Sequence, residues 1–120
     1  MTLFFDTYAM IELVQKNPAY EPYLQEDIRT TLWNLGELYY YFVKHGKQRE
    51  GNEWFAKLLP SVVDITPDAI QKAMLFKHQH RTKKMSMVDC IGYIISQKNK
   101  FRFLTGDSAF GNLPNVEFVR

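Results

Sequence analysis

Apolar residues follow two rhythms along this chain. Short unbroken runs, as in "TLFFD" (2–6) and "FRFLTGD" (101–107), are the pattern of strands buried on both faces, and each ends on an acid. Between them lie stretches with apolar residues every three or four positions. "TYAMIELVQKN" (7–17) predicts a helix that stops at Asn17 and Pro18, so the chain begins strand, acid, helix. "YEPYLQED" (20–27) reads as a polar connection, "IRTT" (28–31) as a short strand, and "LWNLGELYYYFVKHG" (32–46) as a helix closed by Gly46. "QREGNEWFAKLLP" (48–60) predicts a shorter helix and "SVVDIT" (61–66) a β-branched strand. Pro67 suits the first position of a helix running from about Asp68 to Arg81. "MSMVDCIGYIISQKNK" (85–100) gives the next helix, feeding a strand at Phe101 to Leu104, and "NVEFVR" (115–120) an edge strand. Strands that alternate with helices predict an α/β fold with a central, mostly parallel sheet flanked by helices.

Composition narrows the picture. At 120 residues with 46% hydrophobic content the chain fits a single domain, 1–120, around one sheet. A formal charge of +2 is too small to announce a nucleic-acid partner by bulk electrostatics, so any such partner must be read from local patches. The lone Cys90 excludes an internal disulfide and multi-cysteine zinc motifs. Asp6 interrupts the hydrophobicity that a signal peptide needs, and no stretch reaches the ~18 apolar residues of a membrane span. A cytoplasmic location is the expectation.

Four acids fall at comparable places in this layout: Asp6 after the first strand, Glu37 early in the helix after "IRTT", Asp89 in the first turn of its helix, and Asp107 after "RFLTG". Each has an ordinary explanation at a helix start, since Asn34 with Glu37 and Ser86 with Asp89 share the spacing of a capping box. Four carboxylates gathered at one sheet edge would repel one another, and a hard divalent cation such as Mg²⁺ or Mn²⁺ relieves that repulsion.

The blocks "FFDT" (4–7), "LGEL" (35–38), "MSMVDCIGYIIS" (85–96) and "FLTGDSAF" (103–110) make the sequence resemble PIN-domain ribonucleases, and among them the VapC-type toxins of toxin–antitoxin pairs. The resemblance runs almost from end to end. It implies a PIN-like three-layer fold and a Mg²⁺- or Mn²⁺-dependent endoribonuclease that inhibits translation. Asp6, Glu37, Asp89 and Asp107 would form the catalytic and metal site, with Thr7 and Thr105 as supporting hydroxyls. It also implies a cognate antitoxin protein and a homodimer. Some family members carry another acid one turn after the third, where this chain has Gly92 and Tyr93.

Cations beside the acids are the candidates for gripping RNA. "KHQHRTKK" (77–84) leads straight into the helix bearing Asp89, and Arg81, Lys83 and Lys84 are its candidate phosphate-binding residues. His78 and His80 are two apart and diverge on a helix, which makes them poor joint zinc ligands. Tyr39, Tyr40, Tyr41 and Phe42 surround a full helical turn, with Trp33, Trp54 and Phe55 nearby. One face would fill the core; the surplus points to a further covered surface, such as a homodimer or antitoxin contact, to core packing with wet phenol ends, or to stacking on RNA bases. Two other readings stay open. A phosphoreceiver also gathers acids at strand ends, although it expects an acidic pair where "FFDT" offers one acid, and a PIN fold can serve as a catalytically silent binding module. A haloacid-dehalogenase-type phosphatase needs a second Asp where this chain has Tyr8.

Overall fold

The computed structural model describes residues 1–120. Five strands form one parallel sheet: β1 (Thr2–Phe5), β2 (Asp27–Thr31), β3 (Val62–Val63), β4 (Arg102–Thr105) and β5 (Val116–Phe118), in the order β3-β2-β1-β4-β5. The register pairs Leu3 with Ile28 and Arg102, and Phe103 with Val116. Five α-helices connect them: α1 (Thr7–Val14), α2 (Leu32–Lys44), α3 (Gln48–Leu58), α4 (Pro67–Gln79) and α5 (Met87–Lys98). No helix is long and apolar enough to cross a membrane.

Because side chains alternate along a strand, β1 feeds two cores. Leu3 and Phe5 join Leu104 and residues of α1, α2 and α3 on one face. Phe4 and Phe103 meet Ala73, Ile91, Tyr93 and Phe110 on the other, with the Phe4 and Phe103 rings stacked 5.7 Å apart. The sheet is thus the middle of three layers, and both of its faces are dry. Strand order decides one of the open alternatives. A receiver domain uses the flavodoxin-like order 2-1-3-4-5, whereas β1 here lies between β2 and β4, so the phosphoreceiver reading fails on topology.

Three local expectations are corrected. The polar stretch before β2 is a 3₁₀ segment, Pro18–Gln25, because Tyr20 and Tyr23 turn inward and donate their hydroxyls to the Val119 carbonyl and to Glu117. The "SVVDIT" strand shrinks to Val62–Val63, a short edge pairing with Thr30 and Thr31. α4 ends at Gln79, two residues early, as the chain passes into a 3₁₀ turn at Arg81–Lys83 and a left-handed Lys84.

Close approach of the backbone fixes two glycines. A Cβ on Gly92 would lie 2.7 Å from the Phe4 ring, so only a bare backbone lets α5 sit this near the sheet; Tyr93 meanwhile packs into the core and donates its hydroxyl to the Pro114 carbonyl. A Cβ on Gly106 would lie 2.2 Å from the Tyr8 ring and 2.6 Å from the Val119 carbonyl oxygen. The carbonyl belongs to backbone that follows β5 and has little room to give. Gly106→Ala should therefore cost about 1–3 kcal/mol in chemical denaturation, while Gly36→Ala, with nothing within 4 Å of the new methyl, should be neutral or stabilising. Equal midpoints for the two variants would contradict this packing.

Candidate functional site

The strand order creates a crevice before any functional side chain is considered. From β1 the chain passes to α1 on one face of the sheet, while the helix preceding β4, α5, packs on the other. Between the carboxyl ends of β1 and β4 no connection crosses, and this is where open α/β sheets bind ligands. Asp6 directly follows β1 and Asp107 lies two residues beyond β4.

Asp6 is buried, only 1% exposed. As the N-cap of α1 its Oδ1 accepts from the Ala9 N–H at 2.8 Å, and its Oδ2 accepts from the Thr105 hydroxyl at 2.5 Å. Loss of solvent pushes its pKa up to about 8; the Thr105 and Ala9 hydrogen bonds oppose that rise, and the neighbouring charges of Asp89 and Asp107 add to it. Asp107 caps the 3₁₀ turn Ser108–Phe110, its Oδ1 accepting from the Ala109 N–H at 3.0 Å. Its own N–H donates to the Thr105 oxygen at 3.0 Å. Thr105 thereby links the two strand-end acids.

Asp89 sits in the capping box expected at the start of α5: its N–H donates to the Ser86 hydroxyl at 3.0 Å and its carboxylate accepts from the Ser86 N–H. Burial raises its pKa first and Asp107 raises it further, while the Ser86 hydrogen bonds and the Lys77 ammonium pull it down. Glu37 is the most solvent-open of the four, yet its carboxyl end turns inward to accept from the Thr7 hydroxyl at 2.5 Å. Burial raises its pKa as well, opposed by Thr7 and reinforced by Asp89. The capping-box spacing of Asn34 and Glu37 is coincidental: the N-cap of α2 is Thr31, whose hydroxyl accepts from the Asn34 N–H.

All four acids, with Thr7 and Thr105, thus lie along one edge of the sheet and are joined by mutual electrostatic influence. Every side chain donor there is oxygen, which suits a hard divalent cation. No three of the chain's carboxylates, imidazoles or thiol form a ready-made ligand cage. A cation would be held by part of the set and by water, the usual manner of Mg²⁺.

Two residues join the site that sequence patterning did not assign to it. Asn34 is fully buried beside Thr7, its signals in sequence being its place as a polar residue in the first turn of an apolar helix and a capping spacing that the fold does not use. Lys77 donates to the Met85 carbonyl at 2.5 Å and so ties α4 to the turn that precedes Asp89. In sequence it opens the cationic run 77–84. Farther along that run, Arg81 donates to the His78 carbonyl, and Arg81, Lys83 and Lys84 are exposed on the connection leading into α5. The aromatic surplus is largely absorbed within the chain: Phe42 is core, Tyr39 donates to Asn52 and meets Phe55 edge-on, Tyr41 accepts from Gln15, and Lys57 covers Trp54. Trp33 and Tyr40 remain exposed.

No family model matches the chain. No curated protein matches it by sequence either. Solved structures do match in shape. A chain of a toxin–antitoxin complex from Klebsiella pneumoniae superposes with a TM-score of 0.76 at 15% identity, covering 96% of this chain and 95% of that one. VapC20 of Mycobacterium tuberculosis, a sarcin-ricin loop cleaving toxin, superposes with a TM-score of 0.79 at 19% identity, covering 98% and 99%. Nearly every residue of this chain has a counterpart in the VapC20 backbone, and the fold is that of a VapC-type toxin.

Proposed function

We propose that the chain is a Mg²⁺- or Mn²⁺-dependent endoribonuclease, the toxin of a toxin–antitoxin pair that acts in the cytoplasm to inhibit translation. The observation that carries this reading is the buried Asp6 carboxylate at the β1–β4 crevice, flanked by Asp89 and Asp107, on a fold shared with a sarcin-ricin loop cleaving toxin. Asp6 and Asp107, each held at a strand end by a capping bond and by Thr105, are the direct ligands in this reading. Asp89 and Glu37 would help hold the cation through water, and Glu37 would orient the attacking water. The bound cation would lower the pKa of water and neutralise charge gathering on the scissile phosphate. Lys83 and Lys84 draw the RNA backbone toward the edge where the acids sit. The partner is an antitoxin, as the Klebsiella pneumoniae complex suggests. The exposed Leu32, Trp33, Tyr40 and Val43 of α2 supply apolar surface for a homodimer, which sedimentation at micromolar concentration should detect; a monomer there would remove that part of the reading.

Cleavage of RNA should require Mg²⁺ or Mn²⁺ and stop on addition of EDTA. Asp6→Asn should abolish it with the fold retained, because Asn keeps the shape and an accepting carbonyl but not the charge. Lys83→Ala with Lys84→Ala should raise KM, leave kcat near its original value and flatten the salt dependence. Cleavage that survives EDTA, or an active Asp6→Asn protein, would defeat the proposal.

The raised pKa values set a pH dependence in metal-free protein. A carboxyl group whose folded pKa lies above its unfolded value, here about 8 against about 3.9, binds protons more tightly when folded. Its contribution is therefore full at acid pH and lost as pH rises through about 8. Glu37 and Asp89 shift in the same direction. In EDTA the urea midpoint should fall between pH 5 and 8.5, the fall should be much smaller in Asp6→Asn, and excess Mn²⁺ should reverse it in the wild type by mass action. A flat wild-type profile, or equal slopes in the two proteins, would count against Asp6 as the site's buried acid.

A further inference from the structure

Glu37 is the one site acid that caps nothing. Asp6, Asp89 and Asp107 each have an oxygen held by a backbone N–H at a helix or 3₁₀ start. Glu37 lies in the second turn of α2 on a longer, exposed side chain, and its recorded partner is the Thr7 hydroxyl. Behind Thr7 stands a chain of polar contacts. The Asn34 amide nitrogen donates to the Thr7 oxygen at 3.1 Å, and the Thr31 hydroxyl donates to the Asn34 carbonyl oxygen at 2.5 Å. Asn34 and Thr31 are buried.

The direction of this relay is forced by its end. An ionised carboxylate only accepts, so Thr7 must donate to Glu37 and its oxygen is left to accept. Of the two ends of the Asn34 amide only the nitrogen can then face Thr7, which turns the carbonyl oxygen toward Thr31. Thr31 completes the circuit by accepting from the Asn34 backbone N–H at 3.2 Å. Each member polarises the next toward the carboxylate.

We propose that Asn34 is a positioning residue: acting through Thr7, it fixes the Glu37 carboxylate toward the metal edge in one rotamer. The inference rests on the reading of Glu37 as a metal-facing acid given above. A long side chain on an open helix face would otherwise sample several rotamers, and ordering it at the moment of metal binding would weaken affinity. Asn34 differs from an ordinary buried capping residue in what its side chain reaches. It spans from α2 to α1 and ends on the hydroxyl that holds the acid.

The test is Mn²⁺ titration of the full chain, followed by the electron paramagnetic resonance signal of free Mn²⁺, in wild type, Asn34→Leu, Glu37→Gln and the double variant. Asn34→Leu should weaken Mn²⁺ binding by about tenfold, and adding it to Glu37→Gln should weaken it no further. Wild-type affinity in Asn34→Leu, or an equal loss in both backgrounds, would overturn the proposal, the second result marking Asn34 as merely structural. Glu37→Gln binding Mn²⁺ as the wild type does would overturn the parent reading of Glu37 and this inference with it. A measurement that does not depend on the Asn34 variant folding uses the side-chain amide resonance of Asn34. Saturating Mg²⁺ should move that resonance in wild type and leave it in place in Thr7→Val; no movement in wild type, or the same movement in both, overturns the relay.

Discussion

The Thr105 hydroxyl is the hinge of the site because it makes two bonds of opposite sense. It donates to the buried Asp6 carboxylate after β1, and it accepts from the Asp107 N–H after β4. A carboxylate taken out of water without such partners would cost several kcal/mol or simply take up a proton. Asp6 is held near that boundary, with burial pushing its pKa up to about 8 and its two hydrogen bonds pulling it down. The rest of the molecule serves this balance: apolar strands exclude water from below, and glycine backbone at 92 and 106 lets α5 and Tyr8 close in.

Capping does not conflict with the chemistry proposed for the same carboxylates. A capping bond occupies one lone pair of one oxygen, and an ionised carboxylate has about four accepting positions. What the cap contributes is a fixed rotamer on a rigid element, which is the requirement for holding a small cation in octahedral geometry. Asp89 and Asp107 raise the Asp6 pKa and Asp89 raises that of Glu37, and capping, worth about 1 kcal/mol per bond, gives no reason for acids to crowd in this way; a divalent cation would reverse the sign of their interaction.

Much of the architecture was legible because the strong signals were local. Unbroken apolar runs ending on Asp6 and before Asp107 mark strands sealed on both faces, and the helical stretches expected over 32–46 and 85–100 are observed as Leu32–Lys44 and Met87–Lys98. What escaped depended on contacts far apart in sequence. Tyr20 reaches Val119 across the sheet, so a polar-looking stretch became an ordered 3₁₀ segment. Asn34 reads as a capping candidate and Lys77 as part of a cationic run; only folding reveals that one stands behind Thr7 and the other before Asp89. The aromatic residues of α2 divide for a related reason, Trp33 and Tyr40 staying exposed. Tyr39 and Tyr41 each found a polar partner on a neighbouring helix or its C-terminal end, which composition cannot anticipate.

Strand order completes the argument from fold to site. With β1 central, its neighbours β2 and β4 deliver Thr31 and Thr105 to the same edge as Asp6, one on each side. Thr105 works on Asp6 directly, while Thr31 begins the path through Asn34 and Thr7 to Glu37. β2 and β4 therefore each end in a threonine that governs an acid, β1 leads directly into Asp6, and α5 brings Asp89 from the opposite face to close the group. Moving β1 to an edge would separate Thr31 from Thr105 and leave the acids on unconnected loops. The chemistry proposed for this site is in that sense a property of the sheet's topology, with the side chains placed where that topology has already opened a crevice.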